Sequence, residues 1–275
     1  MLLTFDEVLD AATVQRFRTA LASADWVDGV VNAGTLSRAV KFNRQLDDRS
    51  AQAIELGNTI LRRLGTHPGF LSAALPERIH PPKFNRYSGG GRFGVHVDSA
   101  IMRMADANLT LRSDLSATLF LTDPDEYDGG ELQIETPFGA QAVKLPAGSM
   151  VLYPSSSLHQ VTPVTRGERV CAFFWIQSMV REDSQRALLF DMDMAIQRLG
   201  QSAGQDDPSI ISLTGAYHNL LNFLGAGNVF TPEFLAEVDL GGPLALEREV
   251  WARCTAPSQL NRLLAYDFKF TLADN

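Results

Sequence analysis

His96 and Asp98 stand one residue apart in GVHVDSA, and His159 in PSSSLHQVTP and Arg169 in RGERVCAFFW follow far downstream. Two imidazoles and a carboxylate are the ligand set of a non-heme Fe(II) centre that keeps coordination positions open. A bidentate 2-oxo acid and then dioxygen can take those positions, while the carboxylate offsets part of the metal charge and neutral imidazoles bind without ionising. Arg169, ten positions past His159, offers a permanent cationic fork to an anionic cosubstrate. With five histidines and 32 acidic residues, about 0.6 H-x-[DE] pairs arise by chance, so the pair decides nothing without its context.

That context is strand-like. Side chains alternate along a strand, so His96 and Asp98 share a face with Val97 opposite, and the third ligand must come from another strand. Alternation also puts Arg169, Cys171, Phe173 and Trp175 on one face of ERVCAFFWIQS. If that face is interior, an unpaired guanidinium is costly and a bound dicarboxylate relieves it. The alternative is a surface salt bridge from Arg169 to Glu168 or Asp183. Tyr87, in FNRYSGGG, shares a face with Lys83 and Asn85. Its phenol either hydrogen-bonds a cosubstrate carboxylate or takes a local backbone partner. His67, His80 and His218 lack partners at ligand spacing and read as structural.

The elements that must position these residues follow from pattern. About eight short β-favouring runs succeed Pro81: KFNRYS, RFGVHVD, DLSATLFLTD, GELQIET, GAQAVKLP, GSMVLYP, LHQVTPV and ERVCAFFWIQS. Turn clusters such as GGG at 89–91 and YDGG at 127–130 separate them, which predicts a double-sheet jelly roll. Before it, residues 11–23 read as a helix behind an Asp10 cap. Residues 49–64 read as a second, with Ile54, Ile60, Leu61 and Leu64 on one face and Gly65 as the stop. Helical patterns return at 182–200 and 208–224, with a loop between them, and their apolar face either docks on the core or pairs two subunits in a homo-oligomer. The segment SAIMRMADANLTLRS reads as a lid, in which Arg103 and Arg112 either meet an anionic substrate or are solvated. Residues 225–275 are weakly specified, with short helices suggested at Thr231–Pro232 and Leu244–Trp251.

Composition excludes several classes. The chain has 275 residues, 45% hydrophobic and 20% charged, with a formal net charge of −8. No lysine/arginine run of the kind that binds nucleic acid or an anionic membrane is present. The N-terminus turns acidic at Asp6 and Glu7, and no apolar run has the length of a membrane span, so a cytoplasmic protein is expected. Cys171 and Cys254 have neither metal nor framework spacing, and Cys171 reads as a small buried apolar residue.

These stretches resemble the Fe(II)- and 2-oxoglutarate-dependent dioxygenases of the prolyl 4-hydroxylase-like superfamily, and more narrowly the PKHD-type hydroxylases. The residues that carry the resemblance are FNRYSGGGRFGVHVDSAIM, DLSATLFLTDPDEYDGGELQIET and LYPSSSLHQVTPVTRGERVCAFFWIQSMVRED, with DGVVNAGTLSRAVKFNRQL and SLTGAYHNLLNF at either end. The resemblance implies a double-stranded β-helix (jelly-roll) core with flanking helices, an α+β architecture. It divides the chain into a dioxygenase domain at 1–180 with its core at about 81–178, and a helical domain at 181–224. The remainder, 225–275, has no counterpart in the family pattern. Iron ligation is implied for His96, Asp98 and His159, 2-oxoglutarate anchoring for Arg169, and L-ascorbate as a reductant. The implied reaction consumes dioxygen and 2-oxoglutarate, releases succinate and carbon dioxide, and hydroxylates a small-molecule or peptidyl substrate. Asp98 disfavours halogenation, since a halide needs the carboxylate's coordination position. Two other readings stand beside this one: a non-catalytic jelly-roll module holding a metal such as zinc, and a metal-dependent hydrolase, for which no general base lies beside the ligands.

Overall fold

The computed structural model describes residues 1–29, 40–104 and 109–225. The chain divides into two compact units, Met1–Gly225 and Ala226–Asn275, and every described residue belongs to the first. The expected short helices near Thr231–Pro232 and Leu244–Trp251, Cys254, and all but the first residue of the 225–275 extension lie outside the described residues.

The N-terminal part contains β1 (Leu3–Phe5), α1 (Ala11–Ala22), β2 (Trp26–Asp28), β3 (Lys41–Phe42), β4 (Arg44–Leu46), α2 (Ala51–Leu64) and α3 (Pro68–Ala74). There follow β5 (Pro76–Ile79), β6 (Lys83–Ser88), β7 (Arg92–His96), β8 (Ile101–Met104), β9 (Leu109–Arg112), β10 (Leu115–Phe120), β11 (Asp128–Gly129) and β12 (Leu132–Thr136). The last strands are β13 (Gly139–Val143), β14 (Met150–Pro154), β15 (His159–Val161), β16 (Val164–Arg166) and β17 (Glu168–Ser178). Two helices close the described part, α4 (Asp183–Ala203) and α5 (Pro208–Gly225).

The larger sheet runs β1–β14–β10–β17–β6–β4–β2, with β5 also paired to β17, and the smaller runs β13–β12–β15–β7–β3. The eight runs read from sequence are β6, β7, β10, β12, β13, β14, β15 and β17, four in each sheet. Successive members cross from one sheet to the other, except at the β12–β13 hairpin. That is the expected jelly roll.

Strand alternation divides the larger sheet's side chains between two cores. Phe84, Leu115, Ala117, Leu119, Leu152, Ala172, Phe174 and Ile176 pack with Phe17, Leu21, Ile60, Leu64 and Phe70 of the N-terminal helices. Tyr87, Phe120, Val151, Tyr153 and Cys171 turn the other way and meet Leu132, Ile134, Val143 and Val161 of the smaller sheet. The functional side chains project into this second, inter-sheet space.

The helices start where their caps allow. Asp10 accepts a hydrogen bond from the Thr13 backbone N–H at 2.7 Å, and Ser50 one from Ala53 at 3.1 Å. The α2 face differs from expectation: Ile54 is 52% exposed, and Ala53, Leu56, Gly57, Ile60 and Leu64 are buried. A Cβ on Gly57 would lie 3.4 Å from Pro82, so small residues bring the helix close to the chain leading into β6. Apolarity marks Ile60 and Leu64 correctly, but it adds the exposed Ile54 and misses Ala53, Leu56 and Gly57. The short strands β1 to β4 were not expected either, being two or three residues long and added at or near the sheet edges.

Leu189, Ile196, Ile210 and Tyr217 of α4 and α5 bury together with Leu75 and Val180, so part of this face docks on the main body. Leu188, Ile211 and Phe223 stay exposed. The expected lid contains β8 and β9, paired antiparallel from Ile101↔Arg112 to Met104↔Leu109. Among the described residues no helix is long and apolar enough to cross a membrane.

Removing Ile60 and Ile54 in turn checks the α2 face. Ile60→Ala is expected to lower stability by about 2–5 kcal/mol through the cavity it leaves. Ile54→Ala should stay within about 0.5 kcal/mol of the parent, both read from urea denaturation midpoints.

Candidate metal and cosubstrate site

β15 lies antiparallel beside β7, and this pairing sets His159 opposite His96. The register slips between His159 and Val161, so that Val161 faces Phe93, three residues back along β7. Such a bulge re-aims side chains locally. Phe93 and His96 both reach the cavity despite their odd separation, and their rings stack at 3.6 Å. Asp98 follows just beyond the strand, and one ligand atom from each of His96, Asp98 and His159 lies within 4.8 Å of the others.

The orientation of each group is fixed by a neighbour. His96 Nδ1 faces the Gly94 carbonyl at 2.8 Å and His159 Nδ1 faces the Ser157 carbonyl at 3.0 Å. A ring nitrogen against a carbonyl carries the proton, which leaves Nε2 of each ring as the free donor. Ser116 Oγ donates to Asp98 Oδ2 at 2.6 Å and is itself 2.8 Å from Ser155 Oγ. Burial, aided by the neighbouring His159, pushes the His96 pKa down to about 4, so the imidazole is neutral near pH 7, as a metal ligand must be.

Arg169 lies in the same chamber and is 1% exposed. Its Nη1 donates to Cys171 Sγ at 3.0 Å, while Nε and Nη2 find no partner among the described residues. The guanidinium lies 5.3 Å from the Tyr87 ring and 5.1 Å from that of Phe120. The surface alternative fails, because Glu168 pairs with Arg86, and Asp183 with the N-terminus and Arg186. A buried, unpaired cation is expensive unless an anion joins it.

Tyr87 sits opposite Arg169 across β6 and β17 and is 2% exposed. Its oxygen accepts from Asn85 Nδ2 at 3.1 Å, a side-chain partner where sequence offered a backbone one. Burial raises its pKa, so the phenol keeps its proton to donate. Sequence reading assigned no role to Tyr127, whose buried hydroxyl is also unpartnered among the described residues. Its pKa is pushed up to about 12, mostly by burial. Tyr127 lies in the YDGG turn cluster, and only the fold brings it to Arg169. Gly130 allows that approach: its φ is +68°, and a Cβ there would come within 3.0 Å of the Tyr127 ring and 3.1 Å of Arg169 Cδ.

The triad, Arg169 and Tyr87 line one cavity of about 170 Å³ together with Lys41, Phe93, Phe173 and Trp175. The other histidines are engaged elsewhere. His67 caps α3, His80 lies against Trp175, and His218 packs on Tyr217. Arg112 is no substrate anchor, since it forks onto Asp114 at 2.7 and 2.8 Å and bonds the Ser178 carbonyl. Arg103 is exposed.

Comparison with known proteins gives the chain's family. Residues 82–177 match the 2OG-Fe(II) oxygenase superfamily, and residues 183–222 match the PKHD-type hydroxylase C-terminal domain. A PKHD-type hydroxylase of Teredinibacter turnerae is 62% identical over 221 residues, which cover 80% of this chain and 97% of that protein. One from Acidovorax ebreus is 57% identical over the same shares. Among solved structures, a Pseudomonas putida prolyl-4-hydroxylase is 21% identical with a TM-score of 0.43, over 64% of this chain and 92% of that one. HygX from Streptomyces hygroscopicus, solved with nickel and 2-oxoglutarate, is 15% identical with a TM-score of 0.44, over 64% and 82%. Likenesses that distant say nothing about substrate.

Because Arg169 has no acidic partner and two of its nitrogens are unbonded among the described residues, Arg169→Met should stabilise the ligand-free protein, by about 1–3 kcal/mol. Chemical denaturation in buffer free of carboxylates checks this, and a loss of stability would mean that Cys171 and the flanking rings already satisfy the guanidinium.

Proposed function

Because the chain belongs to the PKHD-type hydroxylases of the 2OG-Fe(II) oxygenase superfamily, we propose that His96, Asp98 and His159 hold Fe(II) and that Arg169 and Tyr87 anchor 2-oxoglutarate. The observation that carries this reading is Arg169, a buried guanidinium with two N–H-bearing nitrogens unpartnered, on the wall of the chamber that gathers the three ligands. A structural zinc module has no use for such a cation. The donor set fits as well: two neutral imidazole nitrogens and one carboxylate suit Fe(II) and leave positions open.

Fe(II) with 2-oxoglutarate, when bound, supplies oxygen activation and hydroxylation of a substrate C–H bond, with succinate and carbon dioxide as coproducts. The protein's share is placement and exclusion of water. Arg169 presents its fork to the distal carboxylate of the cosubstrate, and the protonated Tyr87 hydroxyl donates to the same group. Ser116 holds Asp98 in orientation, and the backbone carbonyls of Gly94 and Ser157 hold the two rings. Phe93, Phe173 and Trp175 keep the chamber wall apolar. With Asp98 in place, hydroxylation is favoured over halogenation. L-Ascorbate enters as the reductant of oxidised iron on family resemblance alone, and the same resemblance leaves the substrate as a small molecule or a peptide. The cytoplasmic setting belongs to this proposal too, and the free thiol of Cys171 fits it.

Anaerobic mixing of the protein with Fe(II) and 2-oxoglutarate should give a weak visible charge-transfer band that is absent in His96→Ala and Asp98→Ala. Arg169→Met should weaken 2-oxoglutarate binding by on the order of 10²-fold while iron stays bound. Tight zinc binding with no band and no succinate from any substrate mixture would sink the reading.

A further inference from the structure

The chamber holds a second buried cation, Lys41, to which the proposed function gives no role. Lys41 is only 5% exposed and lines the same cavity as the triad. It stands on β3, the edge of the smaller sheet, directly opposite Phe93 of β7. Phe93 in turn stacks on His96, so one aromatic ring separates the ammonium from the nearest proposed ligand. Lys41 Nζ donates to Gln45 Oε1 at 3.1 Å, across from β3 to β4 of the other sheet, and lies 5.5 Å over the Phe93 ring. Among the described residues it has no ion pair.

The neighbouring Lys83 shows what a satisfied lysine looks like here, since its ammonium is bonded to Asp48. Lys41 has one neutral acceptor for three N–H donors. Burial, with Lys83 nearby, lowers its pKa to about 8, which leaves it largely protonated at neutral pH. Isolated buried charges are retained where something pairs with them. In the proposed function, one carboxylate of 2-oxoglutarate goes to the metal and the other to Arg169. Asp48 and Asp28 act on Lys41 only from beyond ion-pair distance, and Asp48 is bonded to Lys83, so the position of a close anion beside Lys41 falls to the molecule that is hydroxylated.

We propose that Lys41, held by Gln45, is the specificity-determining residue of the substrate side, and that the substrate is an acid whose anionic group pairs with the Lys41 ammonium. The inference rests on the hydroxylase reading above. The rest of the wall says what the acid is attached to: Phe93, Phe173 and Trp175 surround the same cavity, with Trp175 edge-on to Phe173 at 5.4 Å. A flat, apolar or aromatic body bearing one negative charge matches that lining.

Benzoate and its neutral counterpart benzamide are the probes. Each is titrated calorimetrically into the anaerobic protein loaded with Fe(II) and 2-oxoglutarate. Benzoate should bind the parent saturably and benzamide far more weakly. Lys41→Met should weaken benzoate roughly tenfold or more, the loss of one charge-assisted hydrogen bond. Gln45→Glu, which supplies Lys41 with an internal carboxylate and leaves the lysine in place, should do the same, so the result does not hang on one variant's folding. The charge-transfer band should form in both variants with unchanged 2-oxoglutarate affinity. Absence of saturable benzoate binding to the parent overturns the proposal, as does equal binding by parent and variants. Loss of 2-oxoglutarate affinity in Lys41→Met also overturns it, by assigning the lysine to the cosubstrate. If the parent forms no band, it is the hydroxylase reading itself that fails, which separates the two outcomes.

Discussion

The pairing of β15 with β7 is short, and the site depends on it. With His159 opposite His96, two ligands from positions far apart in sequence sit on neighbouring strands. The break in register next to them lets Phe93 turn inward as well, so the same irregularity places the ring that backs His96 and stands between it and Lys41. A regular ladder would have turned Phe93 outward. The larger sheet then closes the chamber from the opposite side, bringing Ser116 to Asp98 and Arg169 above Tyr87.

Closure of this kind isolates charge. Arg169 and Lys41 are both buried, both line the cavity and both lack an acidic partner among the described residues. Such groups lower stability in the ligand-free protein, and the surrounding structure must compensate. Compensation comes from the other face of the larger sheet, where three helices bury a continuous apolar cluster against Phe84, Leu119, Phe174 and Ile176. The sheet is therefore the boundary between a stabilising core and a functional chamber, and the two-residue period of its strands keeps them apart.

Much of this was legible from residues alone. The strand reading of H-x-D holds only for His96, since β7 ends there and Asp98 lies beyond it. The alternation of ERVCAFFWIQS put Arg169, Cys171, Phe173 and Trp175 on one face without saying which, and the structure turns that face to the cavity. Tyr87 was readable for the same reason. Lys41 and Gln45 were not, because β3 and β4, at two and three residues, are too short to show a period. Tyr127 was hidden in a turn, and its approach to Arg169 needs the positive φ of Gly130 and the whole fold besides. Apolarity does not separate the exposed Ile54 from the buried face of α2, part of which Ala53 and Gly57 form by being small.

The claim on which the rest stands is that one metal and one dicarboxylate share this chamber. Crystals grown anaerobically with Fe(II) and 2-oxoglutarate, with diffraction recorded on both sides of the iron absorption edge, test it most directly. The account predicts a single iron peak between His96 Nε2, Asp98 and His159 Nε2, with the distal carboxylate of 2-oxoglutarate on Arg169. An iron peak elsewhere, or an Arg169 still unpaired beside bound 2-oxoglutarate, would contradict it.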